Sequence, residues 1–237
     1  MMPSPNPAMP YLNPDKFERF VRWFLRFNGY FGVENFIVHA GDDPSRISDG
    51  IVAPYTETDI LAVRMPHSCE IAGPVTMATY GPLVGGSEDQ TDVVIAEAKT
   101  GEAKPNRVWR EGDTETIKYM ARFIGLWKSE AELQEVASHL ASRYRWEAPG
   151  VRVRYIVFCV EPNQHYASRG VTYLNLYHML RFFVRERGEC WLRANLGVAS
   201  AHYQWDPVIN RILEIANDAI LPLEEKCRSC IRELRAP

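Results

Sequence analysis

The stretch Asp92-Val-Val-Ile-Ala-Glu97-Ala98-Lys99-Thr-Gly constrains this chain more than any other. It has the length and apolar character of a buried strand, yet it closes on a carboxylate and an ammonium. Taking either group out of water is costly unless it is paired or bound to a metal. Period-two geometry puts Glu97 and Lys99 on the same sheet face as Val93 and Ile95. The two charges therefore serve either as an ion pair or as a metal ligand beside a group that orients water. The acid-x-Lys pattern recurs at Glu102/Lys104, in a turn between Gly101 and Pro105, and at Glu224/Lys226, among other charges of a C-terminal helix. Only the first copy ends an apolar strand.

A second acid stands in a comparable place. In Glu57-Thr-Asp59-Ile-Leu-Ala-Val, Asp59 opens an apolar strand. If the two strands are neighbours, Asp59 and Glu97 converge on one hard cation. A donor set of oxygens without His or Cys suits Mg2+ or Mn2+ rather than zinc. Thirty-seven residues separate the two acids, more than a hairpin needs. Residues 66–91, with Pro66, Gly73, Pro74, Gly81, Pro82, Gly85 and Gly86, read as a long loop or loose hairpin inserted between the strands, either functional or mobile. Were that insertion structural instead, Asp92 or Asp49 would be the alternative partner acid; Asp59 is the preferred one.

The remaining pattern is that of one α/β domain. At 237 residues, 46% of them hydrophobic, the chain can bury a sizeable core, and two small domains are the less economical division. Prolines at 3, 5, 7, 10 and 14 predict an extended arm over 1–14. Asn13 then offers an N-cap, Pro14 suits the first helical position, and Phe17, Phe20, Val21, Phe24 and Leu25 follow at helical spacing. Strands are predicted at 35–40, 47–53, 56–65, 92–100 and 151–161. Helices are predicted at 115–127, 130–146, 173–187 and 207–234, the last divided at Pro222. A net charge of −3 excludes a grip on nucleic acid by bulk positive charge. No apolar run reaches the roughly 18 residues of a membrane span, so no membrane partner is expected. Five cysteines without a disulfide framework favour a reducing, cytoplasmic setting. No GxxxxGK[ST] loop or GxSxG elbow points to an NTPase or a serine hydrolase. Cys227-Arg-Ser-Cys230 has knuckle spacing, but without a second pair it reads as one helix face.

Helix with an acid, strand with Asp59, strand with Glu97-Ala98-Lys99, helix, strand: this order resembles the PD-(D/E)xK nuclease superfamily. The resemblance covers roughly residues 15–187. It implies a restriction-endonuclease-like core, a central mixed β-sheet flanked by helices, with a C-terminal helical extension over 188–237 packed on it. It further implies that Asp59, Glu97 and the Ala98 carbonyl hold Mg2+ or Mn2+ and that Lys99 is catalytic. Glu18 matches the acid on the first helix that often joins such sites, against the plain alternative of a surface pair with Arg22. Glu115-Thr-Ile-Lys-Tyr119 is similar to the Gln-x-x-x-Tyr helix of the RecB-like branch, with Glu for the usual Gln. Arg107 and Arg110 follow the motif and are candidates to meet phosphates, as are Arg152 and Arg154, which also fit a half-exposed strand. The activity implied is hydrolysis of nucleic-acid phosphodiesters, DNA before RNA, in restriction, repair or phage defence. A homodimer or partner protein is expected, since cutting two strands needs two sites. The competing expectation is a catalytically inactive nuclease-like module that binds nucleic acid or a partner protein.

Overall fold

A computed structural model describes residues 12–39, 47–48, 51–52, 54–72, 74–86, 88–193 and 206–235. Residues 1–11 of the predicted arm and Asp49 lie outside these. Helix α1 (Pro14–Phe27) starts where the sequence places it, with Asn13 Oδ1 accepting from the Lys16 amide at 3.2 Å. Strand β1 (Tyr30–His39), the short β2 (Ile47–Ser48) and β3 (Ile51–Val52), and β4 (Pro54–Arg64) follow. Next come β5 (Ile71–Ala72), β6 (Val75–Thr76), α2 (Gly81–Val84) and β7 (Thr91–Lys99). After β7 lie α3 (Arg107–Glu111), α4 (Thr114–Ile124), α5 (Glu130–Arg143), β8 (Arg145–Ala148), β9 (Val151–Cys159), α6 (Gln164–Ala167) and β10 (Thr172–Asn175). Helix α7 (Leu176–Phe182) runs through a π-helical turn (Phe183–Arg187) into α8 (Gly188–Arg193), and α9 (Pro207–Asn217) and α10 (Leu223–Arg235) close the chain.

The fold is α/β, with a mixed six-stranded sheet flanked by helices. The strand order is β1-β4-β7-β9-β10, with β8 antiparallel beside β9. The β1/β4 and β4/β7 pairs are antiparallel, and the β7/β9 and β9/β10 pairs parallel. One face packs Ile60, Ala62, Val94, Ala96, Ile156 and Phe158 against the aromatic side of α1 and against α7, α9 and α10. The other packs Val93, Ile95, Val153, Tyr155 and Val157 against α3, α4 and α5. Helices α9 and α10 share the α1 core; the Asn13 amide donates to the Leu234 carbonyl at 2.9 Å. Pro222 does divide the final helical stretch, in the turn between α9 and α10.

Several expectations need correction. Residues 66–91 are not a loose excursion: Met77, Leu83 and Val84 are buried in the α1-side core. The buried Arg187 pins the segment, pairing with Glu70 and donating to the Ala78 carbonyl at 2.9 Å. Pro66, Pro74, Gly85 and Gly86 lie in turns and Gly81 and Pro82 open α2, and a pattern reading sees only the breakers. Helix α5 stops at Arg143 because Tyr144 takes the left-handed conformation (φ 59°), so Trp146 belongs to β8 rather than to the helix. Residues 172–175 form β10 before the helix expected at 173–187, since their pairing partner, β9, lies outside the local window. Arg152 and Arg154 are not half-exposed: both turn onto Asp92. Arg154 donates to Asp92 Oδ2 at 2.6 Å, Arg152 at 2.9 Å and the Tyr30 hydroxyl at 2.5 Å. Burial works to raise the Asp92 carboxyl, but the two guanidiniums outweigh it and hold it below the usual carboxylate range. Asp92 is thus consumed at the opposite end of β7 from Glu97, so an ordered insertion does not make it the partner acid.

If the insertion is core, deleting part of an anchor costs what a core deletion costs. Leu83→Ala is expected to lower unfolding free energy by about 3 kcal/mol in urea titration. A loss under about 0.5 kcal/mol, the range of a surface change, would restore the mobile-loop reading.

Candidate active site

The β4/β7 ladder runs from Arg64↔Asp92 to Ile60↔Ala96 and ends there, while β4 continues beside β1 to Pro54 and β7 beside β9 to Lys99↔Cys159. The strands part at the point where the sequence puts its two acids. At this fork Asp59 Oδ2 accepts from the Ala98 amide at 2.6 Å. The carboxylate of one strand therefore sits on the peptide unit joining Glu97 to Ala98.

Glu97 is 1% exposed, on the α3–α5 face of the sheet. Its Oε2 accepts from the Tyr155 hydroxyl and, at 3.1 Å, from the Asn106 amide. Its buried Oε1 lies against the Lys99 ammonium and, among the described residues, has no other donor. Trp109 holds the phenol from behind, stacked on Tyr155 with ring centroids 4.2 Å apart and an interplanar angle of 24°. The loop from β7 to α3 is tied down where the Tyr173 hydroxyl donates to the Ala103 carbonyl at 2.8 Å, which returns Asn106 to the site. The Asn106 side chain then bridges the two strands, accepting from Lys99 Nζ at 3.4 Å and donating to the Glu57 carbonyl at 3.2 Å.

These surroundings keep the acids reluctant to ionise. Burial pushes Glu97 up to about 7; Lys99 and the Asn106 amide pull it down, and Asp59 adds to the rise. Burial likewise raises Asp59, against the Ala98 amide and Lys99, with Glu57 reinforcing the rise. Glu18, half-buried on α1, is raised by burial and then by Asp59, Asp15, Glu57 and Glu34. It thus feels the Asp59 charge from the other side of the sheet. The surface pair with Arg22 is not formed; Arg22 binds Glu34 and Asp206 instead.

The helix residues offered as substrate contacts lie on α3 and α4. Glu115 pairs with Lys118 on the α4 surface at 2.9 Å, and Tyr119 is exposed. Arg107 and Arg110 are exposed on α3, Arg107 paired to Glu111 at 2.9 Å. Cys227 and Cys230 are both buried in the core beside α1. Tyr155 and Asn106 escaped the sequence reading. Asn106 carried a faint signal, an Asn between Pro105 and a helix; Tyr155 carried none, because nothing local tells which strand lies beside β7.

Whether the set fits a divalent cation is decided by donors. Among the described residues no three His, Cys, Asp or Glu side chains gather. What is offered is two carboxylates, which suits Mg2+ because that ion keeps several waters of its own. Two carboxyls held above their ordinary range, one with an oxygen met only by an ammonium, are what a hard cation would relieve. Compared with family models, curated proteins and solved structures, the chain matches none.

The raised Glu97 carboxyl makes a signed prediction. Between about 4.5 and about 7 the folded protein keeps a proton that the unfolded chain has released, so metal-free stability falls as pH rises through that window. Denaturant unfolding in a chelating buffer is expected to show a loss on the order of 3 kcal/mol that Glu97→Gln lacks. Parallel pH profiles for the two proteins would contradict it.

Proposed function

We propose that the chain is a metal-dependent phosphodiesterase of the PD-(D/E)xK type acting on nucleic acid, DNA before RNA. The observation that carries the reading is the meeting of Asp59 with the Glu97–Ala98 peptide at the fork of β4 and β7, with Lys99 beside it. The mixed sheet with α1 on one face and α3–α5 on the other supports the restriction-endonuclease-like architecture expected from the sequence.

In this reading Asp59, Glu97 and the Ala98 carbonyl would hold Mg2+ or Mn2+, and Glu18, which feels the Asp59 charge, would support it. The bound ion supplies Lewis acidity toward a phosphate oxygen and acidifies water. Tyr155 and the Asn106 amide occupy Glu97 Oε2, and Oε1, against Lys99, is the oxygen that would meet the ion. Lys99 orients the attacking water and offsets the negative charge that grows on the pentavalent transition state. The water gives a proton to bulk solvent as its oxygen adds to phosphorus, the bond to the opposite sugar oxygen breaks, and the leaving alkoxide takes a proton from solvent. Arg107 and Arg110, exposed on the helix that begins beside Asn106, would meet flanking phosphates. With a net charge of −3, attraction is local, and a second copy or a partner protein is the natural way to hold a duplex.

Incubation with linear, circular and single-stranded DNA and with RNA, in Mg2+ or Mn2+, tests the reading. Cleavage by the wild type is expected, falling about a hundredfold or more in Lys99→Ala. Cleavage equal in both proteins would remove Lys99 from the mechanism. Binding without cleavage on every substrate would favour the inactive module.

A further inference from the structure

We propose that Asn35 is a positioning residue: its left-handed backbone reverses the side-chain alternation of the β1/β4 ribbon opposite Asp59 and so aims that carboxylate at the Ala98 amide. The reversal is visible on both strands. Before it, β1 faces α1 with its even residues: a Cβ at Gly32 would lie 3.1 Å from Ile60 Cγ2, and Glu34 pairs with Arg22 of α1 at 2.6 Å. Regular alternation would keep Phe36 on that face. Instead Phe36 packs on Phe123 of α4, ring centroids 4.2 Å apart, and Val38 is buried in the α4-side core. The partner strand does the same. Ile60 belongs to the α1-side core, yet Thr58, two residues away, donates its hydroxyl to Met120 Sδ of α4 at 3.8 Å.

Both strands therefore change face between the pairs Glu34↔Ile60 and Phe36↔Thr58. The offset of these pairs is unchanged, so no residue is inserted; the ribbon turns at Asn35 and Asp59, the two residues between. Asn35 has φ 49° and is the one non-glycine with positive φ inside a strand among the described residues. Asn tolerates this region, whereas a β-branched residue resists it. Asp59 is left out of the alternation and reaches the Ala98 amide, a donor that a continued ladder would give to a main-chain carbonyl.

The use of this device at a metal site rests on the nuclease reading, but its geometry is tested without metal or substrate. The experiment is amide hydrogen exchange of the metal-free full chain, reading Ala98 against Val94 of the same strand, whose partner is Ala62. Asn35→Val is expected to speed Ala98 exchange about tenfold or more relative to Val94, with Asn35→Gly within about twofold of wild type. Should Asn35→Val not fold, Asn35→Ala carries the same expectation. Ala98 protection unchanged in Asn35→Val, or lost equally in Asn35→Gly, would overturn the proposal. A wild type that binds no Mn2+ would sink the nuclease reading and leave this one standing; unchanged exchange would do the reverse.

Discussion

A carboxylate buried at the end of a parallel strand pair has to be supported from several directions at once, and Glu97 is supported by residues from three elements. Lys99 comes from its own strand, Tyr155 from β9 and the Asn106 amide from the start of α3. Each supporter has its own support: Trp109 stacks on Tyr155, and Tyr173 ties down the loop that delivers Asn106. The order β4-β7-β9 brings Asp59 to one side of Glu97 and Tyr155 to the other.

The two ends of β7 show the same chemistry used in opposite ways. Asp92 meets two guanidiniums and a phenol, and its carboxyl is held below the usual range. Glu97 meets one ammonium, one amide and one phenol, and its carboxyl is pushed up to about 7. The first arrangement stabilises the fold across the neutral range; the second leaves a carboxyl whose ionised form is under-compensated. Packing alone would favour a neutral residue there, and it is this under-compensated state that the proposed metal would relieve.

Much of this was legible in the sequence. Asn13, Pro14 and the apolar spacing after them marked α1, and the charged close of an apolar strand marked the site, because burying charge is costly wherever it happens. What stayed hidden depended on pairing. Tyr155 looks like any strand aromatic until β9 is known to lie beside β7, and β10 looks like the first turn of a helix until β9 offers it partners. The glycines and prolines of 66–91 concealed Met77, Leu83 and Val84, whose burial is decided by α1 and α7 far away in the chain. Asn35 was hidden for a different reason: a left-handed residue inside a strand leaves the composition of that strand unchanged.

The account turns on one divalent ion being shared by carboxylates from β4 and β7. Calorimetric titration of the full chain with Mn2+, across pH 6 to 8, reads this directly. The account predicts one ion per chain, tighter as Glu97 loses its proton, and weakened about tenfold or more by Asp59→Asn and by Glu97→Gln alike. No binding, or binding indifferent to both substitutions, would contradict it.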